Sequence, residues 1–212
     1  MQSHIRDGGS LAMENLPLFP LNAVLFPEGP LKLRIFEPRY VDMIGRCMRE
    51  NSPFGVAMIR EGVEAGGNAI TAEIGTTARI VDFERLQDGL LGITAIGERC
   101  FRIESVAQQS DGLNVGEIEY LPTEPAVAID EESMYLVRLL QHALPQLAPV
   151  YDFTPIRYED AAWVGMRLVE LLPLPLDEKQ MCLELQDPLL RLQHLRKRVT
   201  REAVAREDDL QS

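Results

Sequence analysis

Leu31, Leu33 and Ile35 alternate with Lys32 and Arg34. A period of two predicts a strand buried on one face. From Pro38 the period changes. Val41, Ile44, Cys47 and Met48 fall at helical spacing and define one face, with Asp42, Arg46, Arg49 and Glu50 mostly off it. Proline needs no N–H donor at a first helical position, so the pattern predicts a single helix over 38–50. Residues 54–59 return to a strand pattern. Gly62, Gly66, Gly67 and Asn68 then mark a mobile loop. Four strand-like runs follow, at 76–84, 90–96, 99–107 and 113–121, divided by Asp88-Gly89, Gly97 and Asp111-Gly112. Asp-Gly between apolar runs signals a hairpin, because both central residues accept positive φ. The set predicts a twisted antiparallel sheet curling toward a barrel.

Pro122 and Pro125 bracket a linker, and beyond it the pattern is helical. A helix over 131–147 opens on Asp130, Glu131 and Glu132, which complement the helix dipole, and Pro145 and Pro149 end or kink it. A second, over 159–172, carries Trp163, Met166, Val169 and Leu172, and Pro173 stops it. Asp177 with Gln180 reads as a capping box for a third. Asp187-Pro188 opens a fourth, with Leu189, Leu192, Leu195 and Val199 on one face. The fold class is therefore α+β: an antiparallel β-rich pseudo-barrel with one helix, then a four-helix segment. The expected divisions are a flexible leader at 1–13, a β domain at 14–122, a linker at 123–130, a helical subdomain at 131–206 and a tail at 207–212.

Charge narrows the function. The 21 basic and 33 acidic residues give −12. Nucleic acids and anionic membranes need a positive field, so both are disfavoured. Arg196-Lys197-Arg198 with Arg201 is the one basic run, and it suits the C-terminal end of a last helix. Cys47, Cys100 and Cys182 are far apart, odd in number and without a C-x-x-C, which reads as buried thiols in a reducing cytoplasm. No apolar run approaches the roughly 20 residues of a membrane helix. His4, His142 and His194 are too few and scattered for a zinc site. No cofactor is expected.

Several ordered segments resemble the N-terminal domain of Lon proteases. They are Leu16-Pro17-Leu18-Phe19-Pro20-Leu21, Phe36-Glu37-Pro38-Arg39-Tyr40, Phe54-Gly55-Val56, Ile74-Gly75-Thr76, Gly97-Glu98-Arg99-Cys100-Phe101-Arg102-Ile103, and later Leu171-Leu172-Pro173-Leu174 and Lys179-Gln180-Met181-Cys182-Leu183-Glu184. The resemblance covers roughly residues 14–195. It implies a PUA-like half-closed barrel followed by a helical bundle that recognises unfolded or tagged proteins. The companions of that domain in Lon are not visible. None of the 15 glycines is followed by lysine, so no phosphate-binding G-x-x-x-x-G-K loop is present. Lys32, Lys179 and Lys197 are the only lysines, and nothing marks one as the base of a Ser–Lys peptidase.

The reading is a non-catalytic, ATP-independent, cytoplasmic module that binds unfolded or extended protein segments, as an adaptor or regulator of proteolysis, in contact with proteolytic machinery or with copies of itself. A PUA-like RNA-binding protein and an unrecognised enzyme are the alternatives. Phe36, Arg39 and Tyr40 are peptide-binding candidates as the most distinctive set. Against that stands a structural role, in which Arg39 pairs with a carboxylate or carbonyls and Tyr40 fills a strand-to-helix corner. Glu61, Gly66, Gly67 and Asn68 are candidates because exposed glycine-rich loops often touch partners. Trp163 reads as core rather than docking site.

Overall fold

The computed structural model describes residues 13–64, 69–147 and 151–199. Strand β1 (Glu14–Leu21) runs antiparallel to β7 (Asn114–Tyr120) and parallel to β3 (Phe54–Glu61). Strand β5 (Ile74–Arg85) joins β3 to β6 (Leu91–Gln108), and β6 joins β7. The ring β1-β7-β6-β5-β3 thus closes on itself through β1. Strand β2 (Pro30–Ile35) adds to the first part of β6, and the short β4 (Ile70–Thr71) covers the end of β3.

The barrel has two apolar fillings. Leu16, Leu18, Phe101 and Ile118 form one. The other packs Phe19, Phe54 and Ile93 against Tyr40, Met43, Ile44 and Cys47 of α1 (Pro38–Glu50). The Tyr40 ring stacks on Phe19 with centroids 3.9 Å apart.

A 3-10 turn (Glu131–Ser133) leads into α2 (Met134–Ala143), and another (Leu144–Leu147) leaves it. Helices α3 (Ala161–Leu171), α4 (Leu176–Glu184) and α5 (Pro188–Arg198) complete the bundle. Its core holds Leu136, Leu140, Trp163, Val164, Leu183 and Leu192, and it takes in Phe26 and Ile74 from the barrel. Phe26 is fully buried there, and burial of such a side chain contributes about 1.5–3 kcal/mol. Barrel and bundle are therefore joined through Phe26 and Ile74, while the two barrel fillings stay separate clusters.

Several expectations shift. The buried face of α1 is Tyr40, Met43, Ile44 and Cys47, whereas Val41 and Met48 are exposed. The spacing was right and the stripe was turned, because Tyr40 follows Phe19 into the barrel. The runs at 90–96 and 99–107 are one continuous strand, not two. Gly97 is not a turn. A Cβ there would lie 2.2 Å from the Phe26 carbonyl oxygen, so glycine lets the 26–29 loop cross β6 closely. Gly97 N–H donates to the Gly29 carbonyl at 2.9 Å, and Glu28 N–H donates to the Gly97 carbonyl at 2.7 Å. The helix expected over 131–147 is α-helical only at its centre. Helix α3 is buried nearly all round rather than on one stripe. The proposed capping box at Asp177 and Gln180 does not form; Gln180 instead donates to the Ile74 carbonyl at 2.9 Å, tying α4 to β5. Asp187 does cap α5, accepting from Leu189 and Leu190 N–H. Among the described residues no helix is long and apolar enough to cross a membrane, and no metal-ligating cluster gathers.

Candidate functional site

The loop between β1 and β2 has to turn sharply to reach the bundle. Its Leu25 carbonyl accepts from the Thr76 hydroxyl at 2.6 Å, and Glu28 adopts a left-handed φ of 61°. That turn projects Pro27 and Glu28 toward α3. From the other side, residues 121–126 run across the mouth of the barrel. They are anchored at the start of α3, where Ala161 N–H donates to the Val127 carbonyl at 2.7 Å. Asp160 caps the same helix, accepting from Ala162 N–H at 3.0 Å and from Val127 N–H at 3.3 Å.

Between these walls lies a cleft of about 250 Å³. Pro27, Leu121, Ala162, Trp163, Met166 and Leu183 give it an apolar lining, and Arg99, Glu124 and the Glu28–Arg157 ion pair add charge. Glu28 belongs to the barrel loop and Arg157 to the segment before α3, so this pair bridges the two halves. The Arg99 guanidinium lies 4.0 Å from the centre of the Tyr120 ring. The Trp163 ring meets Tyr158 edge-on at 5.7 Å. Trp163 is 3% exposed, and no acceptor meets its indole N–H among the described residues.

Buried charges hold the walls in place. Arg191 has no exposed surface, yet its guanidinium grips Glu124 through two hydrogen bonds of 2.8 and 2.5 Å. It also donates to the carbonyls of Cys182 and Leu185. A planar fork held this way fixes the linker against α4 and α5. On the same face of α3, with its guanidinium 5.9 Å from the Trp163 ring centre, Arg167 donates to the Pro27 carbonyl at 2.6 Å and to Glu170 at 2.7 Å. Glu170 also accepts from the Tyr151 hydroxyl at 3.1 Å. Burial pushes its carboxyl up to about 7, against the pull of Arg167 and Tyr151. Lys179, which donates to the Glu170 carbonyl, is pushed down by burial.

Cys100 lines the cleft, and burial pushes the thiol up to about 11, so it carries almost no thiolate at neutral pH.

The residues singled out from sequence lie elsewhere. Phe36 is 61% exposed at the corner before α1. Arg39 donates to the Gly112 carbonyl at 2.8 Å and pairs with Glu37 at 2.8 Å, and Tyr40 is buried against Phe19. The Arg39 and Tyr40 contacts are of the kind the structural role asks of those two residues, and Phe36 has no part in them. Glu61 is exposed at the end of β3, and Gly66, Gly67 and Asn68 lie outside the described residues. None of Phe36, Arg39, Tyr40 or Glu61 lines the cleft. Sequence reasoning missed Glu28, Arg99 and Glu124, and placed Trp163 in the core alone. The nearest available signal was Pro27-Glu28-Gly29-Pro30, whose prolines and glycine mark a turn between the first two strands.

A profile of the ATP-dependent protease La (LON) substrate-binding domain matches residues 15–201. The crystal structure of a Lon N-terminal domain protein from Xanthomonas campestris superposes with a TM-score of 0.72 at 36% sequence identity, over 86% of this chain and 96% of that one. Protein cereblon of Danio rerio is 30% identical over 140 residues, 62% of this chain and 31% of that protein. The LON peptidase N-terminal domain and RING finger protein of Schizosaccharomyces pombe is 27% identical, over 84% of this chain and 43% of its own length. The chain thus spans less than half the length of either curated relative, and its relatives are not confined to bacteria.

Proposed function

The chain belongs to the Lon substrate-binding domain family, and on that footing we propose that it is a non-catalytic recognition module for exposed segments of unfolded or extended polypeptides. The observation that carries the reading is the junction cleft. It is concave, largely apolar and lined by a few fixed polar groups, which is the composition of a binding site. The alternative of nucleic-acid binding is opposed by the net charge of −12. Two members of the basic run are engaged within the chain, since Arg196 pairs with Asp130 and Glu132, and Arg198 with Glu178.

A role as adaptor or regulator of proteolysis follows from the same reading. The Schizosaccharomyces pombe relative is named for a RING finger beside its LON domain, so this kind of domain accompanies more than one effector module. The test is capture of one globular client in two forms, native and permanently unfolded by carboxymethylation. The module should retain the unfolded form and release the native one. Failure to hold either form removes the proposal.

A further inference from the structure

Among the described residues, three buried polar atoms on side chains that line the same cleft lack a hydrogen-bond partner: Trp163 Nε1, Glu28 Oε2 and Arg157 Nε, the last with the Asp160 carboxylate 3.9 Å away. An unmade buried hydrogen bond costs about 1–3 kcal/mol, so three around one cleft need an explanation. Two of them are complementary to a single chemical group. The indole N–H is a donor and the Glu28 oxygen is an acceptor. A peptide unit offers one carbonyl acceptor and one N–H donor.

The size of the cleft points the same way. An apolar cavity of about 150 Å³ admits benzene. This cleft, at about 250 Å³, has room for one phenyl or isobutyl group, and not for two. Its floor of Pro27, Leu121, Ala162, Met166 and Leu183 suits such a group. The acids around it already have cations: Glu28 and Asp160 share Arg157, Glu98 has Arg79 and Glu124 has Arg191. A cationic side chain would have to compete with those pairs.

We propose that the cleft is a subsite for one bulky, uncharged apolar side chain of a bound polypeptide, with the adjoining peptide group hydrogen-bonded by Trp163 and Glu28. The subsite rests on the reading of the chain as a protein-recognition module. The unpaired atoms are closed to solvent, so the side chains around them shift as the peptide group docks, while Glu28 Oε1 keeps its bond to Arg157.

Trp163 is the single tryptophan, so its indole N–H gives one resonance in a nitrogen-correlated spectrum of the intact chain. The probes are capped tripeptides, acetyl-Gly-X-Gly-amide, with X as Phe, Leu, Ala, Asp or Lys. Phe and Leu should shift that resonance downfield and saturably, with Ala at least tenfold weaker and Asp and Lys silent. Trp163→Phe keeps a ring and loses the donor. It should weaken the Phe peptide about tenfold, the worth of one hydrogen bond, read by calorimetry. Ala162→Leu fills the cleft and should abolish peptide binding, with its circular dichroism matching the parent. An indole resonance unmoved by the Phe peptide overturns the proposal, as does an equal response to Ala or a preference for Asp or for polyuridylate RNA. If the peptides are silent while the parent still captures unfolded protein, the subsite is wrong and the recognition role stands. If unfolded protein also fails to bind, the recognition role falls with it.

Discussion

Replacing Glu124 by glutamine tests how the cleft is held open. Arg191 is fully buried, and its charge is met by the Glu124 carboxylate and by two backbone carbonyls. Glutamine keeps one acceptor but turns an amide NH₂ toward a guanidinium N–H, and it removes the negative charge. A buried ion left without its partner costs about 3–5 kcal/mol. Glu124 is 11% exposed and Arg191 retains its carbonyls, which places this variant at the lower end, about 3 kcal/mol. For a chain of this size that corresponds to about 6–12 °C in melting temperature. Urea unfolding followed by Trp163 emission measures it, because that ring stands in the cleft wall. The companion is a double variant, Glu124→Leu with Arg191→Met. Replacing a whole buried ion pair by apolar groups is commonly close to neutral, so the double variant should be the more stable of the two. The reasoning is refuted if Glu124→Gln unfolds within about 0.5 kcal/mol of the parent, the range of an ordinary surface change. It is refuted equally if the double variant is the less stable one.

Other sites give independent checks. The Glu170 carboxyl has a folded pKa of about 7 against an ordinary 4.5, so the folded state binds this proton more tightly than the unfolded one. Stability relative to Glu170→Gln should therefore rise as pH falls from about 8 to about 5, by at most about 3 kcal/mol, and a flat difference across that window would dismiss burial as the cause. Gly97→Ala brings a Cβ against the Phe26 carbonyl, and backbone cannot move aside as a side chain can. Its expected cost is about 3 kcal/mol or more, read by thermal melting, and an unchanged melt would mean the 26–29 loop is freely displaced. Asp187→Ala strips the cap from α5 and should cost about 1 kcal/mol in urea unfolding, with Asp187→Asn losing far less.

The β-then-helical order was legible because period-two and period-three-to-four patterns are local properties of the chain. So were the Asp-Gly hairpins, where Gly89 and Gly112 do take positive φ, and the Asp187 cap. What the pattern could not show was anything fixed by distant residues. Gly97 looked like punctuation, yet its role is set by Phe26, some seventy positions earlier. Gln180 looked like half of a cap, yet it is spent on the Ile74 carbonyl. The cleft gathers Glu28, Arg99, Glu124 and Trp163 from four separate elements, and none of them is unusual in its own neighbourhood. Phe36, Arg39 and Tyr40 share a distinctive wording, but Arg39 and Tyr40 are tied into the corner before α1 whereas Phe36 stands exposed on it.

Strand β1 has a consequence for how the chain is made. It pairs β3, which follows it soon, and β7, whose register partner for Glu14 is Ile118, roughly a hundred residues later. On a ribosome adding about 5–20 residues each second, one flank of β1 waits about 5–20 s for its neighbour. An open strand edge is a template for pairing with another nascent chain. Pro17, within the stretch of β1 that pairs with β7, has no N–H to offer such a stranger. A strand edge with one donor missing is a poorer template, so Pro17 blunts the flank of β1 that stays open until its own last strand arrives.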